Sequence, residues 1–182
     1  MQGLSRVQQN VLGLAAGAIL VLGQFMKWFQ ICNQSDGWYI HNYAKALIDP
    51  LPKGALFFTN YDLQWTSLRY LQRCEGFRKD VILINLSMMT YKWFQHKHKH
   101  YPTLMFPGSH LVPAGSTSGG FSMKSLLDAN FKSFEKQGIY IGGKLSFPDK
   151  DFVESYQSVP FGLLNRVRGT LILRIVFDWL CI

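Results

Sequence analysis

Residues 11 to 31, VLGLAAGAILVLGQFMKWFQI, constrain this chain more than any other stretch. From Val11 to Gly23 no side chain is polar. A helix built from this run has no polar face to lay on a membrane surface or turn toward water. A bilayer-spanning helix needs ~20 mostly apolar residues. The strict run is shorter, but it extends through Trp28 and Ile31, with Trp28 and Phe29 suited to the interface and Lys27 able to snorkel. The pattern predicts a membrane-spanning helix over residues 8–31. A signal peptide fits Arg6 and the short apolar core, but no small-x-small cleavage pattern follows Gly23. A buried soluble helix fits only the strict length. Gly13 and Gly17 form a GxxxG pair, which lets another membrane helix approach closely. Arg6 before the span and Lys27 near its end are too few charges to fix orientation.

Composition agrees with a chain partly withdrawn from water. Charged residues make up 16% of the 182 residues, against roughly 25% in an ordinary soluble chain. The net charge of +8 suits anionic partners, nucleic acid or membrane surfaces, and equally a lysine-rich solvated face, which is the plainer reading. A basic nucleic-acid binder is opposed by the apolar N-terminal helix, so no nucleic-acid partner is expected.

The remainder reads as a small α/β domain. Trp38 to Ile48 has the spacing of a short amphipathic helix stopped by Pro50 and Pro52. Ala55 to Thr59 is a short buried strand. A helix follows with Trp65, Leu68 and Leu71 on one face and Asp62 as its N-cap, and Gly76 stops it. Val81 to Ile84 is the second strand. Two continuous apolar strands joined by a helix imply a parallel pair covered on both faces, a Rossmann-like arrangement. Residues 101 to 121 are rich in Pro and Gly and read as a long loop. Ser122 caps the next helix, in which Leu127, Phe131 and Phe134 share a face; Gly138 ends it, and Ile139 to Ile141 is a third strand. Residues 168–182 form an apolar tail, too short and too charged for a second span.

The turn between the first strand and its helix, Thr59-Asn60-Tyr61-Asp62-Leu63, contains no glycine. Neither GxGxxG nor GxxxxGK[ST] occurs, so a phosphate-cradling loop of either kind is absent. Asn60, Asp62 and Asn85 lie at the C-terminal ends of the two strands, where open α/β sheets take ligands. They are the candidate polar site; capping and turn formation are the competing role for such residues. His96, His98 and His100 alternate with lysines, and a solvated basic loop suits them better than a metal site. Asn33-Gln34-Ser35 and Asn85-Leu86-Ser87 match the glycosylation pattern, but Asn33 is next to the span and Asn85 ends a buried strand. Cys32, Cys74 and Cys181 form no CxxC pair, which argues against zinc. Cys32 with Cys74 is the natural disulfide in an oxidising compartment, and free buried thiols are the alternative. No nucleophilic triad or carboxylate pair stands out, so no catalytic and no metal-binding residue is assigned.

Taken together, Cys32-x-Gln34-Ser35-Asp36, NYDLQWTSLRYLQRCEGFRKDVILIN (60–85), MMTYKWF (88–94), FPG (106–108) and VPFGLLNRV (159–167) resemble the transmembrane protein 260 family over residues 10 to 167. Members of that family are multi-pass glycosyltransferases of the GT-C architecture. The eukaryotic ones are protein O-mannosyltransferases of the endoplasmic reticulum, using dolichol-phosphate mannose as donor and receptor ectodomains as acceptors. The resemblance implies that residues 8–31 are the last membrane helix and residues 32–167 an adjoining lumenal α/β domain, with 168–182 divergent. It places residues 32–182 in the lumen. No position corresponds to the catalytic carboxylate of the membrane bundle, so the chain is expected to act as an accessory part, with no cofactor of its own. The alternative is a non-enzymatic, single-span membrane-anchored binding module. A lumenal position also favours the Cys32–Cys74 pairing, since both cysteines sit in the resembling motifs.

Overall fold

A computed structural model describes residues 5–113, 119–145 and 149–170. Two compact units divide the chain, residues 1–38 and 39–182.

The first unit holds α1, Arg6–Cys32. At ~1.5 Å per residue it is roughly 40 Å long, enough to span a hydrocarbon core of about 30 Å. Its start is fixed by a capping box. The Ser5 hydroxyl accepts from the Gln8 backbone N–H, while the Ser5 N–H donates to the Gln8 amide oxygen. None of its residues is buried, although none is polar from Val11 to Gly23. Trp28 Nε1 donates to Gln24 Oε1 at 3.0 Å, so the first polar residue of the run is bonded one turn on. The Cβ positions of Gly13, Gly17 and Gly23 face open space. The helix is long and apolar enough to cross a membrane, by length and composition.

The second unit is a mixed α/β layer structure. In chain order it contains α2 (Tyr39–Ile48), β1 (Leu56–Thr59), α3 (Asp62–Arg73), β2 (Ile82–Asn85), α4 (Leu86–Met89), a 3₁₀ helix (Lys92–His100), α5 (Met123–Asn130), β3 (Ile139–Ile141), α6 (Lys150–Ser155), β4 (Tyr156–Phe161) and β5 (Leu164–Gly169). The sheet order is β2-β1-β3-β5-β4. β1 pairs in parallel with both β2 and β3, and β3 pairs antiparallel with β5. Every residue of β1 is buried because both faces of the sheet are covered. Phe57, Leu83 and Tyr140 face one side, where Ala44, Leu47 and Ile48 of α2 and Leu68 and Leu71 of α3 cover them. Leu56, Phe58, Ile84, Ile139 and Ile141 face the other, against Met123, Leu126 and Leu127 of α5, Phe94 and Phe152.

Several details depart from the sequence expectation. Tyr61, with no side-chain cap, holds the N-cap position of α3, and Asp62 is its first helical residue. Asp62 there still complements the positive end of the helix. α5 stops at Asn130, well short of the expected end at Gly138; turns carry the chain from Phe131 to Gly138, whose φ of 83° serves the entry to β3 instead. The antiparallel β4–β5 hairpin was not anticipated. It turns through Gly162 (φ 58°) and Leu163, and Pro160 is tolerated because β4 is at the sheet edge. Of the tail, only residues 168–170 are among those described, and Cys181 lies outside them.

The HKHKH stretch is not a loop but the end of the 3₁₀ helix. His96 and His100 are exposed, while His98 turns inward and stacks on Phe106 with ring centroids 4.0 Å apart and planes within 9°. Phe94 packs edge-on against both rings. Two of the resembling motifs, MMTYKWF and FPG, thereby meet in one aromatic cluster. Burial holds His98 below the ordinary imidazole value. Its folded-state pKa is depressed, so its stability contribution is present above the unfolded value of about 6.5 and is lost as pH falls through and below it. We expect His98→Phe to flatten the pH dependence of the unfolding midpoint between about pH 7 and 5. A variant with the wild-type slope would contradict this.

Candidate functional site

β1 lies between two parallel partners reached by crossovers in opposite directions, through α3 to β2 and through α5 to β3. The point where the order reverses, between the C-terminal ends of β1 and β3, is where an open α/β sheet takes its ligand. In this protein that place is filled by the chain itself. Gln64, in the first turn of α3 and only 4% exposed, reaches across it. Its amide oxygen accepts from the Asn60 backbone N–H at 3.2 Å, and its amide nitrogen donates to the Gly142 carbonyl at 3.2 Å and to the Tyr43 hydroxyl at 3.3 Å. A Cβ added at Gly142 would lie 2.1 Å from Gln64 Oε1. The missing side chain at 142 is therefore the space that Gln64 occupies. Beside it, the Asn60 side-chain amide donates to the Lys144 carbonyl, and the Gly142 N–H donates to the Phe58 carbonyl at 2.9 Å. The glycine-free turn after β1 cradles no phosphate; it is tied to the β3 end by side-chain amides.

The three residues of the expected polar site have separate surroundings. Asn60 belongs to the lock just described. Asn85 caps α4, its Oδ1 accepting from the Met88 N–H at 2.9 Å, and it is 2% exposed. Asp62 is exposed on the first turn of α3. Thr59 and Asn85 are register partners on β1 and β2, and the Thr59 hydroxyl donates to the Ile84 carbonyl. Cys32 and Cys74 are both exposed free cysteines, against the alternative of buried thiols. Sequence reasoning missed Gln64, Gly142, Asn130 and Arg78. Asn130, buried in α5, pairs with both backbone groups of Met105, donating to its carbonyl at 2.7 Å and accepting from its N–H at 2.8 Å. That pins the start of the long Pro/Gly segment. Its far side closes on itself, with Ser109 N–H to Gly119 O and Val112 N–H to Phe121 O at 2.8 Å each.

The chain thus combines one candidate membrane-spanning helix with a small doubly wound α/β domain whose ligand crevice is occupied by its own residues. The family profile described as TMEM260-associated domain 2 matches residues 40–109, from α2 through the 3₁₀ helix into the loop beyond. The chain is similar to "Protein O-mannosyl-transferase tmem260" of Dictyostelium discoideum, 28% identical over 166 residues, covering 90% of this chain and 19% of that protein. It is similar also to "Protein O-mannosyl-transferase TMEM260" of Mus musculus, 29% identical over 174 residues, covering 91% of this chain and 24% of that protein. The profile match and these two relatives agree in making the chain similar to the TMEM260 family. It spans about a fifth to a quarter of the length of these relatives. No solved structure matches it.

Proposed function

We propose that this chain serves protein O-mannosylation as an accessory part: a membrane anchor carrying a lumenal α/β domain that positions acceptor or braces a membrane bundle without performing transfer. The observation that carries this reading is the self-filled switch point. A catalytic α/β sheet keeps that crevice open for substrate, whereas here Gln64 and Gly142 close it. The relatives' names supply the reaction class, transfer of mannose to protein hydroxyls. The donor of such a reaction, dolichol-phosphate mannose, would be handled by a membrane-embedded part, and receptor ectodomains would be the acceptors. Other membrane helices are the partners for the Gly13–Gly17 face. The endoplasmic reticulum lumen is the compartment that fits this chemistry, and exposed Cys32 and Cys74 would be open to oxidation there.

The test uses sealed microsomes. Made with this chain alone, they should transfer no more mannose from dolichol-phosphate mannose to a receptor domain than mock microsomes. Protease added from outside should leave residues 33–167 intact. Turnover above mock would overturn the accessory role, and digestion of that segment would overturn the lumenal placement.

A further inference from the structure

The C-terminal end of α3 carries three cations around one open hollow of about 360 Å³: Arg69, Arg73 and Lys79, with Gln72 at its floor. Arg69 and Arg73 are spaced i, i+4, where like charges repel. Burial, and then the neighbouring Arg73, push the Arg69 guanidinium below its ordinary value. None of the three cations is in an ion pair among the described residues. The nearby carboxylates are used elsewhere: Glu75 pairs with His41 at 3.1 Å, and Asp80 with Arg78 at 3.0 Å. The helix dipole accounts for a cation in the last turn, Arg73, but not for three converging on one hollow.

The hollow is also held in shape. The Arg69 guanidinium sits 5.2 Å over the Trp65 ring and reaches the Gln72 amide oxygen at 3.5 Å. Gln72, buried, donates to the Arg78 carbonyl at 2.9 Å and the Val81 carbonyl at 2.8 Å, which fixes the segment bearing Lys79 against α3. The forks of two arginines match the oxygens of a tetrahedral anion. Three positive charges exceed what a single carboxylate neutralises and suit the double charge of a phosphate monoester.

We propose that Arg69, Arg73 and Lys79 form a phosphate-binding site on this domain, taking a phosphomonoester or pyrophosphate group from either a soluble ligand or a lipid headgroup. The site lies at the opposite end of α3 from the switch point and does not rest on the accessory reading. The test is amide exchange on the full chain in zwitterionic nanodiscs at constant ionic strength. In one arm pyrophosphate is added; in the other, phosphatidic acid is incorporated in the disc. Amides that exchange only through global unfolding of the α/β unit should slow about a hundredfold when free ligand is about a hundred times its dissociation constant. Slowing with pyrophosphate identifies a soluble source, and slowing with phosphatidic acid alone identifies a lipid one. The variants Arg69→Gln with Arg73→Gln, and separately Lys79→Gln, should lose the effect. The first should remain folded, since the loss of the Arg69 contacts with Trp65 and Gln72 is offset by the removal of a repulsive pair, and its unfolding midpoint without ligand checks this. Equal slowing in wild type and variants, or none in either arm, overturns the proposal.

Discussion

Replacing Arg78 with alanine is expected to destabilise the α/β unit by about 3 kcal/mol, and with lysine by nearly as much. Arg78 makes more polar contacts than any other side chain among the described residues. Its Nη1 donates to the Ile48 carbonyl at 3.0 Å and the Asp49 carbonyl at 2.8 Å, and its Nη2 to the Leu51 carbonyl at 2.7 Å and the Pro52 carbonyl at 3.2 Å. These include carbonyls released at the C-terminal end of α2, which otherwise have no helical partner. The same guanidinium donates from Nε and Nη2 to the two oxygens of Asp80, each at 3.0 Å, and Asp80 accepts from the Gly54 N–H at 3.2 Å. One side chain therefore ties the end of α2, the entry to β1 and the entry to β2. A lysine keeps the charge but offers no planar fork. Arg78 itself has φ 46°, unusual outside glycine, which the bonds at its other end sustain. For a unit of this size the unfolding midpoint should fall by roughly 10 °C. A lysine variant as stable as wild type would refute the fork argument. The Arg78 hydrogen bond holds the Asp80 carboxyl below the usual carboxylate range. The contribution of the pair is therefore present above the unfolded value of about 3.9 and is lost as pH falls through the lowered folded value. The loss in the variant should be the same at pH 6 and pH 8.

What the sequence made legible is what periodicity and punctuation encode. Val11 to Gly23 is apolar in every direction, so α1 could be read from composition alone. The runs 55–58 and 81–84 are apolar at consecutive positions and short, as in a strand covered on both faces, and β1 and β2 are such strands. Gly76 and Ser122 marked element ends through their own conformational chemistry, whereas Gly138 marks the entry to β3 and not the end of α5. The hairpin β4–β5 escaped because its strands are only partly buried and contain Pro160, which reads as a break. Asp62 was misplaced by one position because an acidic residue stabilises the first helical turn as readily as it caps. The basic hollow escaped because Arg69, Arg73 and Lys79 meet only once Gln72 holds the 78–81 segment to α3. The switch-point lock was invisible for a similar reason. Gln64 and Gly142 are 78 residues apart, and nothing local to either announces the other.

That lock gives the second large effect. Gly142→Ala should cost about 3 kcal/mol, although the substitution adds a single methyl group. Gly142 does not adopt a positive φ, so backbone strain is not the cause. The cause is space. The new Cβ would lie 2.1 Å from Oε1, 2.8 Å from Cδ and 2.9 Å from Nε2 of Gln64, so the entire amide must leave. With it go the hydrogen bonds to the Asn60 N–H and the Gly142 carbonyl, both in a buried environment where unpaired groups are costly. Gln64→Ala alone removes those bonds without a clash and should cost about 2 kcal/mol. The two substitutions together should therefore cost little more than Gln64→Ala, leaving a coupling of about 2 to 3 kcal/mol in the double-mutant cycle. Strict additivity would mean that the amide does not fill the space at 142. Urea unfolding of the four proteins measures the cycle directly, provided the m-value is unchanged among them. The same cycle bears on function, because the double variant opens the switch point. If it then gained no affinity for a sugar or nucleotide, the crevice would be structural in this chain even when emptied, and ligand recognition would have to reside on the outer surface of the domain.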